Sequence, residues 1–219
     1  MRHRSTMALV LVASTLQAIA AQPERLSADR FRAGMPGKGI VLLSINWGRR
    51  YGCPGVANAQ LLRLTFTQLP ITTSSAKLDL KTPGKLLVNN TFLNVAYILD
   101  PGKYAITDIR VLIAETLNKV DELTVGGLME QDNPVGGTFQ VEPNEAVYIG
   151  SFAMDCANQG AVPWRFYLED KASFDKYVAG FKKEYPFAAA LPVRYRLFDS
   201  AEFGSQFSLP DEQPPTPAQ

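Results

Sequence analysis

The chain has 219 residues, of which 46% are hydrophobic, 20% charged and 10% aromatic, and its formal net charge is +1. That composition excludes a disordered, collagen-like or coiled-coil chain, and the length suits one domain or at most two. No basic excess points to nucleic acid.

The amino terminus carries the clearest signal. Arg2, His3 and Arg4 precede an apolar stretch over residues 7–16, and Ala18-Ile19-Ala20 then offers small residues for cleavage. This three-part layout predicts a secretory signal peptide over residues 1–20. A membrane anchor is the alternative, but a span needs about 20 apolar residues, and Gln17 and Gln22 interrupt this run. No cysteine precedes Cys53, so no lipid-anchored cysteine is expected at the new terminus, and no later segment is long enough to span a membrane. The expected destination is the periplasm or the cell exterior. Cleavage would leave 20 basic against 21 acidic residues and would remove His3, the only histidine. A mature chain without histidine builds no Ser-His-Asp or Cys-His site and lacks the usual ligands of catalytic zinc or copper.

Residues 21–37, with Pro23, Gly34, Pro36 and Gly37, read as an N-terminal extension that is only partly ordered. Residues 38–204 read as the folded domain. Residues 205–219 are rich in proline and read as a disordered tail.

Within the domain, period-two patterns recur. Val41, Leu43, Ile45 and Trp47 share one face; so do Leu62, Leu64 and Phe66; so do Leu93, Val95, Tyr97 and Leu99. Asp100-Pro101-Gly102-Lys103 is a turn signal, expected to join strand 93–99 to strand 103–114 as a hairpin. In that second strand the apolar phase slips between Ile106 and Ile109, which predicts a bulge near Thr107-Asp108. Residues 115–122 read as a weak helix. Phe139 and Val141 mark a short strand, and residues 146–154 read as a central strand, apolar on both sides. Trp164, Phe166 and Leu168 mark a strand, as do Val193, Tyr195 and Leu197. One segment is firmly helical in pattern: Phe174, Tyr177, Val178 and Phe181 follow i, i+3, i+4, i+7 spacing, with Asp170 to cap the start and Pro186 to stop the end. The expected fold is mainly β: an antiparallel sandwich, Ig-like or transthyretin-like, with one C-terminal amphipathic helix, or alternatively a barrel.

Cys53 and Cys156 are the only cysteines. An even count in an exported chain predicts a disulfide; two buried thiols or a redox pair are the alternatives, and the second lacks CxxC spacing. No phosphate loop, dinucleotide fingerprint or calcium loop occurs, so no cofactor or metal is expected. Eight scattered carboxylates, among them Asp155 beside Cys156, show no spacing that selects a catalytic pair. The most distinctive loop is Trp47-Gly48-Arg49-Arg50-Tyr51-Gly52-Cys53-Pro54. Trp47, Arg49, Arg50 and Tyr51 there could stack on a sugar, base or peptide; the structural alternative puts Trp47 in the core and leaves the arginines solvated. Asn89-Asn90-Thr91 matches a glycosylation acceptor, relevant only in a eukaryotic secretory pathway.

Two stretches, residues 99–104 (Leu-Asp-Pro-Gly-Lys-Tyr) and residues 137–150 (Gly-Thr-Phe-Gln-Val-Glu-Pro-Asn-Glu-Ala-Val-Tyr-Ile-Gly), resemble secreted or lipid-anchored bacterial β-sandwich domains of transthyretin-like and carboxypeptidase-regulatory-like style. The resemblance implies export, a hairpin at the first motif and a turn into a central strand at the second. Asn144 stands where such domains often place glycine, in a left-handed turn. It implies no catalytic residues. The resulting expectation is an exported, non-enzymatic binding module with an unknown protein or envelope partner. A carboxylate-dependent hydrolase of glycans or peptidoglycan is one alternative; an accessory subunit docking through residues 205–219 is the other.

Overall fold

A computed structural model describes residues 24–195 except 84–89, 117, 157–160, 167 and 169. The expected signal peptide, the proline-rich tail and Asn89 of the glycosylation pattern lie outside the described residues. In chain order the elements are β1 (Glu24–Arg25), α1 (Ala28–Gly34), β2 (Gly39–Ile45), β3 (Arg50–Tyr51), β4 (Asn58–Gln68), β5 (Lys77–Lys81), β6 (Leu93–Leu99), β7 (Gly102–Thr116), β8 (Lys119–Thr124), β9 (Met129–Glu130), β10 (Asn133–Pro134), β11 (Thr138–Val141), β12 (Ala146–Asp155), β13 (Val162–Phe166), α2 (Lys171–Glu184) and β14 (Val193–Tyr195).

The strands form two stacked sheets and a small β9–β10 ribbon, and no barrel closes. The first sheet runs β1-β6-β2-β12, with β13 and β14 both pairing with β12. The second runs β11-β7-β4-β3, with β5 added to β4 and β8 to β7. The centre of the first sheet is not antiparallel as expected: β2 and β14 both run parallel to β12. The fold remains a mainly β sandwich.

Side-chain alternation explains the layers. Val41, Leu43, Ile45 and Trp47 meet Leu64, Phe66, Ile106 and Ile109 of the second sheet in the shared core. Ile40 and Leu42 point the other way, where Phe174 and Phe181 of α2 cover them. So β2 and β12 are buried on both faces, which is why residues 146–154 read as continuously apolar.

Three phase slips keep the apolar residues inward. Thr107 is the extra residue of β7 opposite Thr65 and Phe66, as its pattern predicted. Leu62 is the extra residue of β4; it therefore leaves the face of Leu64 and Phe66, to which alternation had assigned it, and packs with Leu112 and Ala114 instead. The third lies in β12 between Tyr148 and Ser151, where Gly150 adopts φ +108°. That left-handed value favours glycine, and the Arg165 side chain occupies the space a Cβ would take.

The Asp100–Lys103 turn is not a hairpin. It carries the chain from β6 in the first sheet to β7 in the second, because β6 pairs with β2 while β7 pairs with β4. Tyr104 Oη donates to the Asp100 carbonyl at 2.9 Å and ties the crossing down. The described residues of 115–122 are not helical: Thr116 Oγ1 accepts from the backbone N–H groups of Asn118 and Lys119, and the chain returns as β8. Residues 24–35 join the fold: β1 pairs with β6, and Leu26 and Met35 pack with α2 in the outer cluster. Asn144 does take a left-handed φ of 60°, and its N–H donates to Lys38 O at 2.7 Å. This straps the β11–β12 turn against Gly39, where a Cβ would strike the Glu142 carbonyl. α2 begins as expected, with Asp170 accepting from Ser173 N at 2.7 Å.

Candidate binding surface

At one end of the sandwich the chain leaves β2 and re-enters the second sheet as β3, through the loop singled out in the sequence. Asn46 Oδ1 accepts from Gly48 N at 2.9 Å and closes a short turn. Trp47 is 6% exposed and sits in the shared core, while its carbonyl accepts from Gln60 Nε2 at 2.8 Å. Arg50 and Tyr51 then pair with Ala59 and Asn58. Gly52 takes φ +76°, and Cys53 is bonded to Cys156, just past the end of β12. The disulfide joins the two sheets across 103 positions of chain.

The four loop residues therefore divide. Trp47 is an anchor, as the structural alternative held. Arg49 and Arg50 are half-buried at the rim. Tyr51 is 60% exposed, the most exposed large apolar side chain of the described residues. The loop has little freedom, because it is held by a core tryptophan, a buried glutamine and a disulfide.

Sequence reasoning missed the polar face beside this end. On the outer side of the first sheet, Asn94, Ser44, Ser151 and Phe166 line up in one row across β6, β2, β12 and β13. Ser44 Oγ donates to Asn94 Oδ1 at 2.7 Å, and Tyr148 Oη and Ser151 Oγ share a hydrogen bond at 3.0 Å. Tyr177 of α2 packs at a tilt over Tyr148, with ring centroids 4.4 Å apart. Burial pushes the Tyr148 phenol up to about 12, with Ser151 and Ser44 offsetting part of the effect, and it pushes Tyr177 higher still. Both hydroxyls therefore stay protonated, and the cluster offers neutral hydrogen bonds rather than a base. The adjoining cleft, lined by Leu42, Asn94, Tyr177, Phe181 and Glu184, has a cavity volume of about 10 Å³, room for no more than a water molecule, against ~300–1,000 Å³ for small-molecule sites. The only clue in the sequence was that alternation in 41–47 and 93–99 left Ser44, Asn46 and Asn94 on one side.

Two carboxylates come together on the outer face of the second sheet. Arg63 holds Asp79 through two bonds, at 2.5 and 2.8 Å, and lies 3.6 Å from Asp108; Lys81 and Arg110 flank them at 3.0 and 3.3 Å. Burial pushes the Asp79 carboxyl up, but Arg63 and Lys81 together hold it below its ordinary value. A general acid needs the opposite displacement. Among the described residues no group of His, Cys, Asp and Glu is placed to hold a metal ion, and no helix is long and apolar enough to cross a membrane. No protein-family model, curated protein or solved structure matches the chain.

Proposed function

We propose that this protein is an exported, non-enzymatic binding module of the bacterial envelope, which meets a macromolecular partner through the disulfide-bonded end of the sandwich. The observation that carries the reading is Tyr51: a large aromatic, 60% exposed, on a short edge strand fixed between the Trp47 anchor and Cys53. A rigid exposed aromatic beside arginines loses little entropy on binding and is a frequent contact hot spot. The signal-peptide layout of residues 1–20 supports export, and a disulfide suits an oxidising compartment. The resemblance to exported β-sandwich domains supports the same assignment. The accessory-subunit alternative rests on residues 205–219, which lie outside the described residues.

The test is capture from envelope extract by immobilised protein, comparing wild type with an Arg50→Ala/Tyr51→Ala variant. The expected result is loss of the captured partner with an unchanged melting curve. Equal capture by both proteins overturns the assignment.

A further inference from the structure

We propose a second binding site, independent of Tyr51: a neutral, extended oligosaccharide lies along the row Asn90–Phe92–Asn94 at the start of β6. Asn90 bonds to Asn46, Asn94 to Ser44, and Phe92 packs on Phe166, and these three partners lie on the outer face of the first sheet, so the three side chains share that face. All three are exposed, and Phe92 is 46% accessible.

Hydrogen bonding fixes what the two asparagines offer. The Gly48 N–H can only donate, so the Asn46 oxygen accepts it. The Asn46 amide nitrogen is then left to donate to Asn90 Oδ1, at 2.7 Å. That turns the Asn90 amide N–H groups outward. At the other end Ser44 Oγ donates to Asn94 Oδ1 at 2.7 Å and turns that amide outward in the same way. Phe92 lies between them, and Phe166 braces its ring in an edge-to-face pair with centroids 6.4 Å apart. The surface is therefore an apolar ring flanked by two pre-oriented, uncharged donors.

The chemistry selects the ligand. A sugar ring has an apolar C–H face for the phenyl ring and hydroxyl oxygens that accept from the amides. Its own hydroxyl protons rotate towards water, so none is stranded. An extended peptide offers carbonyl acceptors too, but it lacks the flat C–H face of a sugar ring to lay against Phe92. An anion would find no charge among these three side chains.

The test is titration of the full-length, 15N-labelled protein with cellotriose, maltotriose and the N-acetylglucosamine trimer, each to about 10 mM, a range that reveals Kd values near 1 mM. The expected result is saturable movement of the Asn90 and Asn94 side-chain amide signals with at least one trisaccharide. The Phe92→Ala variant should lose about 10-fold in affinity while melting at the same temperature. Tyr51→Ala should leave the titration unchanged, so failure at one surface is distinguishable from failure at the other. The proposal is overturned if no trisaccharide moves the two amides, if Phe92→Ala binds as well as wild type, or if a neutral Gly-Ser peptide moves them instead.

Discussion

The outer face of the first sheet carries Ile40, Leu42, Ala96 and Tyr148 beneath Phe174 and Phe181; the outer face of the second carries Arg63, Asp79, Asp108 and Arg110, partly exposed and paired with one another. The inner faces of the two sheets are alike, both lined with Val, Leu, Ile and Phe. The outer faces differ because one sheet has a helix to cover it, whereas the other carries ion pairs beside the small cluster of Leu62, Leu112 and Ala114. A covered face contributes stability by burial and can hold neutral hydroxyls in place. A solvated face contributes little per ion pair and serves solubility. The recognition surfaces proposed for this molecule accordingly lie off the charged face, at the disulfide-bonded end around Tyr51 and where the helical cover stops beside Ser44 and Asn94.

The largest effect should follow removal of the cover. Phe181→Ala is expected to cost about 4 kcal/mol, the usual loss for a buried phenylalanine, read as a fall in the urea midpoint. A loss below about 1 kcal/mol would mean that α2 is not part of the core. Next comes the staple between the sheets. Cys53→Ala/Cys156→Ala should cost about 3 kcal/mol and leave the circular-dichroism spectrum strand-rich. Tyr104→Phe, which frees the crossing from Asp100 O, should cost about 1 kcal/mol with no change in secondary structure.

The smallest effect separates the two faces by pH. Tyr148 and Tyr177 titrate above the ordinary tyrosine value in the folded protein. Their contribution is complete below pH ~10 and is lost as pH rises towards 12, because the unfolded chain releases those protons first. Asp79 titrates below its ordinary value, so its contribution is present above pH ~4 and is lost as pH falls. Tyr148→Phe should flatten the alkaline limb of a stability-against-pH curve, and Asp79→Asn the acid limb, the latter by under about 1 kcal/mol. Exchanged effects would contradict the division between the faces.

Much of the fold is legible in the sequence because burial sets the period of the apolar residues. The Thr107 bulge announced itself as a broken phase, β12 as a run apolar on both sides, and α2 as a 3.6-residue stripe with Asp170 at its start. What failed were statements about partners distant in the chain. Asp100-Pro101-Gly102-Lys103 specifies a turn, but a turn does not specify whether the next strand pairs with the last one or joins another sheet. Residues 115–122 have no period strong enough to override the local hydrogen bonds of Thr116. Parallel pairing of β2 with β12 depends on register across a hundred residues and leaves no local trace. The loop around Tyr51 stood out by composition, yet Trp47 proved to be its anchor. The Asn90–Phe92–Asn94 row was overlooked because its meaning depends on Asn46 and Ser44, whose proximity only the fold provides.

The most direct test of the binding-module account is photo-cross-linking in living cells. A photoreactive phenylalanine analogue would replace Tyr51 in one strain and Leu123, on β8 of the charged sheet, in another. The account predicts a discrete envelope adduct from position 51 and none from position 123. Adducts from position 123 alone, or from neither position, would contradict it.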